Sequence, residues 1–168
     1  PLLSSAVYAE SNHHPILASI KPHSVTIIGE THKRPESFQL FQSIINDYLQ
    51  KHKCLTVALE IASNQQNTID QVIKGNAKVS DIEVAPPIDH PDFRLMIENL
   101  ANLQRNNDCF KLIAVDADIK LKTDRDAWMA DRFTEVIGET PIIALLGSMH
   151  TLKQVTWNSE LTRKPPYV

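Results

Sequence analysis

The sequence has no apolar run that approaches the length of a membrane span, so no transmembrane helix is expected within it. It has no Lys/Arg stripe either. Its 17 basic and 20 acidic residues leave a formal net charge of −3, which argues against nucleic acid as the main partner. Cysteine is scarce: Cys54 and Cys109 are the only two, too few for a disulfide scaffold or a zinc-finger pattern. Internal repeats and low-complexity tracts are absent. What remains is an ordinary apolar share and mixed charge over 168 residues, enough for one domain to bury a core without staples.

The first residue is Pro1, and Pro1 to Ala9 reads in two ways. It is either an ordinary N-terminal segment or the tail of a signal peptide, with Val7 and Ala9 before a cut at Glu10. The second reading implies an exported, periplasmic protein; the first leaves a cytoplasmic one open. Residues 1–20 are therefore set apart from a single domain over 21–160, with 161–168 as a tail.

Four strand-length apolar runs stand out: Val25–Ile28, Leu55–Leu59, Phe110–Val115 and Ile142–Leu146. Most show no polar alternation, as expected of strands covered on both faces. Helical spacing lies between them. Pro35 to Gln50 places Phe38, Phe41, Ile44, Ile45, Tyr48 and Leu49 on one face, with Pro35 in the first turn. Ser63 to Lys74 opens with a possible Ser63/Gln66 capping box and stops at Gly75. Pro91 to Arg105 carries Phe93, Met96, Ile97, Leu100 and Leu103. Thr123 to Ile137 opens on a Thr123 cap and closes at Gly138, and Thr151 to Trp157 suggests a short final helix. The stretch from Asn76 to His90 is irregular and serves as a lid, a loop over a site or a plain connection. The order predicts an α/β fold: an open, mostly parallel sheet of about four or more strands, with helices on both faces. Each cysteine precedes a strand, so both fall at one sheet edge. Two buried free thiols are the favoured reading, and a disulfide is open if those strands are neighbours.

Ligands bind outside the carboxyl ends of strands in open parallel sheets. The four strand exits read Gly29-Glu30-Thr31-His32, Glu60, Asp116-Ala117-Asp118 and Gly147-Ser148-Met149-His150. All four deliver ionisable groups to that edge. Two of them repeat Gly-x-x-His, where glycine permits a tight turn and the imidazole folds back over the strand end. His32 and His150 with Glu30 and Glu60 could activate water directly or hold a divalent metal that does so. Of Asp116 and Asp118, one caps a turn while the other faces the site. Arg125 lies in a first helical turn, against the helix dipole, so a role in binding a substrate carboxylate or orienting Glu60 or Asp116 suits it better than a structural one. Asp126 reads as completing the Thr123 cap. His13, His14, His23, His52 and His90, in loops or at helix ends, read as ordinary surface residues, with His90 the one most open to another role.

Taken in order, these segments resemble a known superfamily. Ile27-Ile28-Gly29-Glu30-Thr31-His32 resembles the opening motif of the ChaN-like and erythromycin-esterase-like proteins, which include the TraB and Tiki proteins. Ala58-Leu59-Glu60 resembles the second motif, Arg125-Asp126-Ala127-Trp128-Met129-Ala130 an Arg-Asp-x-x-Met-Ala segment, and Leu146 to His150 the closing one. The resemblance implies an α/β fold with a strand-end cleft but no single activity. Esterase-like members hydrolyse a lactone with histidine and glutamate handling water, Tiki proteins resemble metalloproteases, and ChaN-like members are linked to haem binding and iron uptake. By transfer His32 is a base or ligand, Glu30 and Glu60 its acidic partners, Arg125 a clamp and His150 the second histidine. The chain lacks room for the large helical insertion of the esterases, which counts against macrolide-sized substrates.

Two functions follow. The first is a hydrolase of an ester, amide or similar bond in a small molecule or peptide, with a metal optional. The alternative is a haem- or metal-binding protein of the cell envelope without catalysis. An interaction module without either activity is a third reading, and the oligomeric state is left open.

Overall fold

The computed structural model describes residues 13–152. Residues 1–12 of the expected N-terminal segment, the C-terminal tail and most of the expected final helix lie outside the described residues; residues 13–20 are described, and Ile16, Leu17 and Ile20 pack against the core. The elements run α1 (His14–Ser19), β1 (Val25–Glu30), α2 (Pro35–Leu49), β2 (Leu55–Ala62), α3 (Gln66–Ile73), α4 (Pro91–Asn106), β3 (Phe110–Asp116), α5 (Arg125–Val136) and β4 (Ile142–Gly147). Short 3-10 turns at Ser63–Gln65, Val79–Asp81, Ile119–Leu121 and Ser148–Thr151 link them.

All strand pairs are parallel, in the order β1-β4-β2-β3. This order and the right-handed rule for crossovers decide where the helices go. The chain moves one way across the sheet from β1 to β2 to β3, then turns back to β4. Right-handed crossovers in opposite directions fall on opposite faces. Accordingly α2, α3 and α4 pack on one face, where Phe38, Phe41, Ile44, Ile45, Phe93, Met96 and Leu100 meet Leu55, Val57, Leu59, Ile143 and Leu145. On the other face Met129 and Phe133 of α5 meet Ala58, Val115, Ile142, Ala144 and Leu146. Strand residues alternate between the two cores, so β2 and β4 are buried almost throughout.

β3 is an edge, and its open backbone is met by side chains. Gln66 Oε1 accepts from the Ala114 amide at 2.8 Å and its Nε2 donates to the Leu112 carbonyl at 3.1 Å, while Gln104 Oε1 accepts from the Leu112 amide at 2.8 Å. These bonds replace those of a missing neighbour strand.

The structure corrects several local expectations. Gln66 forms no capping box with Ser63; a 3-10 turn precedes α3 and no side chain caps it. Gly75 does stop that helix, with φ +78°. The cap of α5 is Asp124, not Thr123: its carboxylate accepts from the Asp126 and Ala127 amides at 3.0 and 3.1 Å. Helix α1, unexpected from the sequence, precedes β1. His90 is no plain surface residue; it caps α4 by accepting from the Asp92 amide.

The free-thiol reading is also overturned. Cys54 and Cys109 are disulfide-bonded with Cα atoms 4.6 Å apart, and no free cysteine remains among the described residues. They sit one residue before the paired positions Leu55 and Phe110, so the bond staples the amino ends of β2 and β3. The site lies at the opposite, carboxyl ends.

The 76–90 segment is a fixed strap. Arg94 holds it with a bidentate grip on Asp89 (2.7 and 2.9 Å) and a 2.8 Å bond to the Val79 carbonyl. Gln65 Oε1 accepts from the Glu83 amide, and Ile82 and Ile88 are buried beneath. No helix among the described residues is long and apolar enough to cross a membrane.

Candidate functional site

The loop after β2 leaves toward the α3–α4 face and the loop after β3 toward α5, so the carboxyl ends of these two neighbours open a crevice between them. Glu60 and Asp116 stand at its two sides. The sequence places Glu60 at the end of its strand, but β2 runs on to Ala62, and its pairing with β3 is irregular between Leu59 and Ala62. Both carboxylates are buried, at 6% and 5% exposure. Arg125, the first residue of α5, reaches back between them: Nε donates to Asp116 Oδ1 at 2.9 Å, and Nη2 to Asp116 Oδ2 at 2.6 Å and Glu60 Oε1 at 2.5 Å. This arrangement explains how a cation is kept at a helix N-terminus. Nη1 makes no hydrogen bond among the described residues.

Glu60 is the hub. Its Oε2 accepts from the Gly147 amide at 2.5 Å, and its Oε1 lies 3.4 Å from His150 Nε2. The other His150 nitrogen, Nδ1, donates to Asp126 Oδ1 at 2.5 Å. Burial alone raises the Glu60 pKa, but the bonds from His150 and Gly147 and the charges of His150 and Arg125 outweigh it and hold the carboxyl down to about 2. His150 is raised above its ordinary value, chiefly by its bond to Glu60, against burial and with help from Asp126. Arg125 is raised by Asp116 first and by Glu60 as well.

These shifts define a pH window. Glu60 is depressed in the fold, so its contribution is complete above 4.5 and is lost as pH falls toward 2. His150 is raised, so its contribution is complete below 6.5 and is lost as pH climbs through its folded value. The pair therefore stabilises most between about pH 4.5 and 6.5. Thermal midpoints measured across pH should fall on both sides of that window, and His150→Gln should flatten the alkaline limb and, because His150 helps hold Glu60 down, make the acid limb shallower.

His32 is placed differently. Its Nδ1 hydrogen-bonds Glu30 Oε1, its ring is partly exposed, and its Nε2 has no partner among the described residues. Glu30, the last residue of β1, lies beside Gly147 in register and is buried at 5%. A Cβ built on Gly147 would stand 2.9 Å from His32 Cε1 and 3.2 Å from both His32 Nε2 and Glu60 Oε2. The second Gly-x-x-His thus supplies the space in which the first one's imidazole rests. Gly147→Ala should displace His32 while leaving a folded domain, read as a changed His32 ring NMR signal at nearly unchanged far-UV circular dichroism.

A cleft of about 940 Å³ opens over these groups, within the size range of small-molecule and cofactor sites. His32, Glu30, Glu60, Arg125 and His150 line it, with Ile119, Lys122 and Met149. A side chamber of about 250 Å³ shares His32, Glu60 and Arg125 and is walled by the strap from Glu83 to Ile88. Asp116 clamps Arg125 and borders the side chamber, while Asp118 accepts from the Lys120 amide and from Asn64 and lines both spaces. Six of the seven candidates line the larger cleft, and Asp116 lies in the side chamber beside it. Asp126 was not among them; it holds His150 and does not complete a Thr123 cap. Its one signal in the sequence is its place after Arg125 in the Arg-Asp-x-x-Met-Ala segment.

Among the described residues, no group of three or more His, Cys, Asp or Glu side chains is arranged to hold a metal ion. Arg125 occupies the space between Glu60 and Asp116, and both His150 nitrogens are engaged by carboxylates. His32 Nε2 is the ring nitrogen left open to a ligand.

Together these features define an open parallel α/β domain with a charged cleft at its strand ends, and the fold is ChaN-like. It matches the solved structure described as cofacial heme binding to ChaN of Campylobacter jejuni, with a TM-score of 0.62 and 18% sequence identity over 85% of this chain and 77% of that one. No protein-family model matches the sequence, and no curated protein matches it.

Proposed function

We propose that the strand-end cleft binds haem, with His32 as the iron ligand, in a protein that acts as a carrier. The observation that carries this reading is His32 Nε2, unpartnered and facing a roomy cleft while Nδ1 is fixed by Glu30. A carboxylate on the far nitrogen orients a ligand histidine and raises its basicity toward a metal. The rest of the lining suits haem as well. Ile119 and Met149 offer apolar flanks, and Lys122 and the free Nη1 of Arg125 offer donors for the propionates. Haem supplies a redox-active iron when bound; the protein's residues fix its orientation and charge. The likeness to a haem-binding ChaN structure supports this reading. The disulfide supports an exported protein, since such bonds persist in oxidising compartments.

Absorbance titration of the full chain with ferric haem tests it. The expected result is a saturable Soret shift that His32→Ala changes in position and weakens by at least about tenfold, as for loss of a metal-site ligand or its support. No shift in the wild type, or an identical one in the variant, contradicts the proposal.

A second reading is favoured by the contrast between the two imidazoles. His150 carries its protons between two carboxylates, while His32 keeps an open nitrogen. Such an arrangement suits hydrolysis through His32: its Nε2 takes a proton from water as the water oxygen adds to the carbonyl carbon of an ester or amide, and returns that proton to the departing oxygen or nitrogen as the C–O or C–N bond breaks, while His150, engaged by carboxylates at both nitrogens, holds Glu60 in place. Turnover of a simple ester panel that is lost in both His32→Ala and His150→Gln supports it.

A further inference from the structure

We propose that the turn Ile119–Leu121, with the flanking lysines, docks the mouth of the cleft onto an anionic lipid surface. Single exposed aliphatics are common on protein surfaces. Here Ile119 is 81% exposed and Leu121 55%, two residues apart on one short turn. Across the cleft Met149 is exposed at 41%, and Leu152 follows at 43%. Lys120 and Lys122 alternate with the aliphatics, and both are exposed. Lys122 holds a left-handed conformation, φ +47°, which ends the turn. Of the nearby acids, half-buried Asp118 accepts from Asn64 and the Lys120 amide, and Asp124 caps α5 while staying exposed, so the two lysines stand out from the acids by their place on the turn itself.

Aliphatic tips between lysines match an interface where apolar side chains enter the acyl boundary and ammonium groups meet anionic headgroups. The net charge of −3 does not cancel this, because charges beyond about 8 Å are screened at physiological salt. A second copy of the chain is a poorer fit. A two-fold contact through this turn would set its lysines against their own counterparts. Ile119, Lys122 and Met149 also line the cleft, so the inference is tested on haem-free protein, where vesicle binding is read apart from haem affinity.

Co-sedimentation of the full chain with phosphatidylcholine vesicles, with and without phosphatidylglycerol, tests it. Binding is expected only to the anionic vesicles and should fall with salt. Ile119→Ser/Leu121→Ser should weaken it about tenfold or more, and Lys120→Gln/Lys122→Gln roughly thirtyfold. Unchanged thermal unfolding in both variants confirms that they fold. The proposal is overturned by no binding at low salt, by equal binding to both vesicle types, or by binding that the serine variant leaves intact. A concentration-dependent dimer that protects Ile119 and Leu121 without vesicle binding overturns it too.

Discussion

Arg125→Met should lower stability by about 3 kcal/mol, near the low end of the range for removing one partner of a buried pair. The side chain is 37% exposed, so solvent screening keeps the loss from being larger. The cost arises from what stays behind. Glu60 and Asp116 are almost wholly buried, and without the guanidinium their charges face each other across the crevice. Met keeps most of the stem, so the loss reports charge and hydrogen bonding more than packing. Arg125→Lys should not rescue fully, because an ammonium cannot make the fork that grips Asp116 through two nitrogens while also reaching Glu60. Denaturant midpoints at neutral pH measure this, and the same variants should bind haem more weakly.

The second large effect concerns the opposite edge of the sheet. Reduction of Cys54–Cys109, or its replacement by two serines, should cost about 4 kcal/mol by loop-closure entropy over a separation of 55 residues. For a domain of this size that corresponds to a drop of roughly 8–16 °C in thermal midpoint. The closed loop contains all of β2, α3 and α4, and the strap, so the unfolded chain gains freedom over much of its core-forming sequence. Scanning calorimetry with and without reductant checks it. An unchanged midpoint would mean that β2 and β3 hold together as well without the staple. Because the disulfide lies far from the cleft, the serine variant should keep its ligand affinity at temperatures where it remains folded.

The sheet was legible because strands covered on both faces leave continuous apolar runs, and because glycine and acidic residues mark where each run stops. Its order was not. Whether Cys54 meets Cys109 depends on β2 lying beside β3, and nothing local states that; the free-thiol reading failed for want of a strand order. The starts of α2 and α4 were legible at Pro35 and Pro91, that of α5 to within two residues and that of α3 to within three, while α1 was missed. Thr123 and Asp124 are both competent caps, and only the geometry of the turn after Leu121 selects Asp124. Gln66 looked like half of a capping box, but it serves the edge of β3, a tertiary demand invisible in the local pattern. Asp126 was hidden because an acid in a first helical turn already has a sufficient explanation in the dipole. The gathering of His32, Glu60, Arg125 and His150 was legible for one physical reason. Parallel topology sends every strand exit to the same edge, so chemistry spread over more than a hundred residues converges there.

Mapping the paramagnetic broadening caused by ferric haem on the amide signals of isotope-labelled protein is the most direct test of where a ligand sits. Signals from Glu30 to Lys33, Ile119 to Arg125 and Gly147 to His150 should vanish first, with those of the α2–α4 layer unaffected. Broadening centred on α2 and α4, or spread evenly over the surface, would contradict the assignment of this cleft as the functional site.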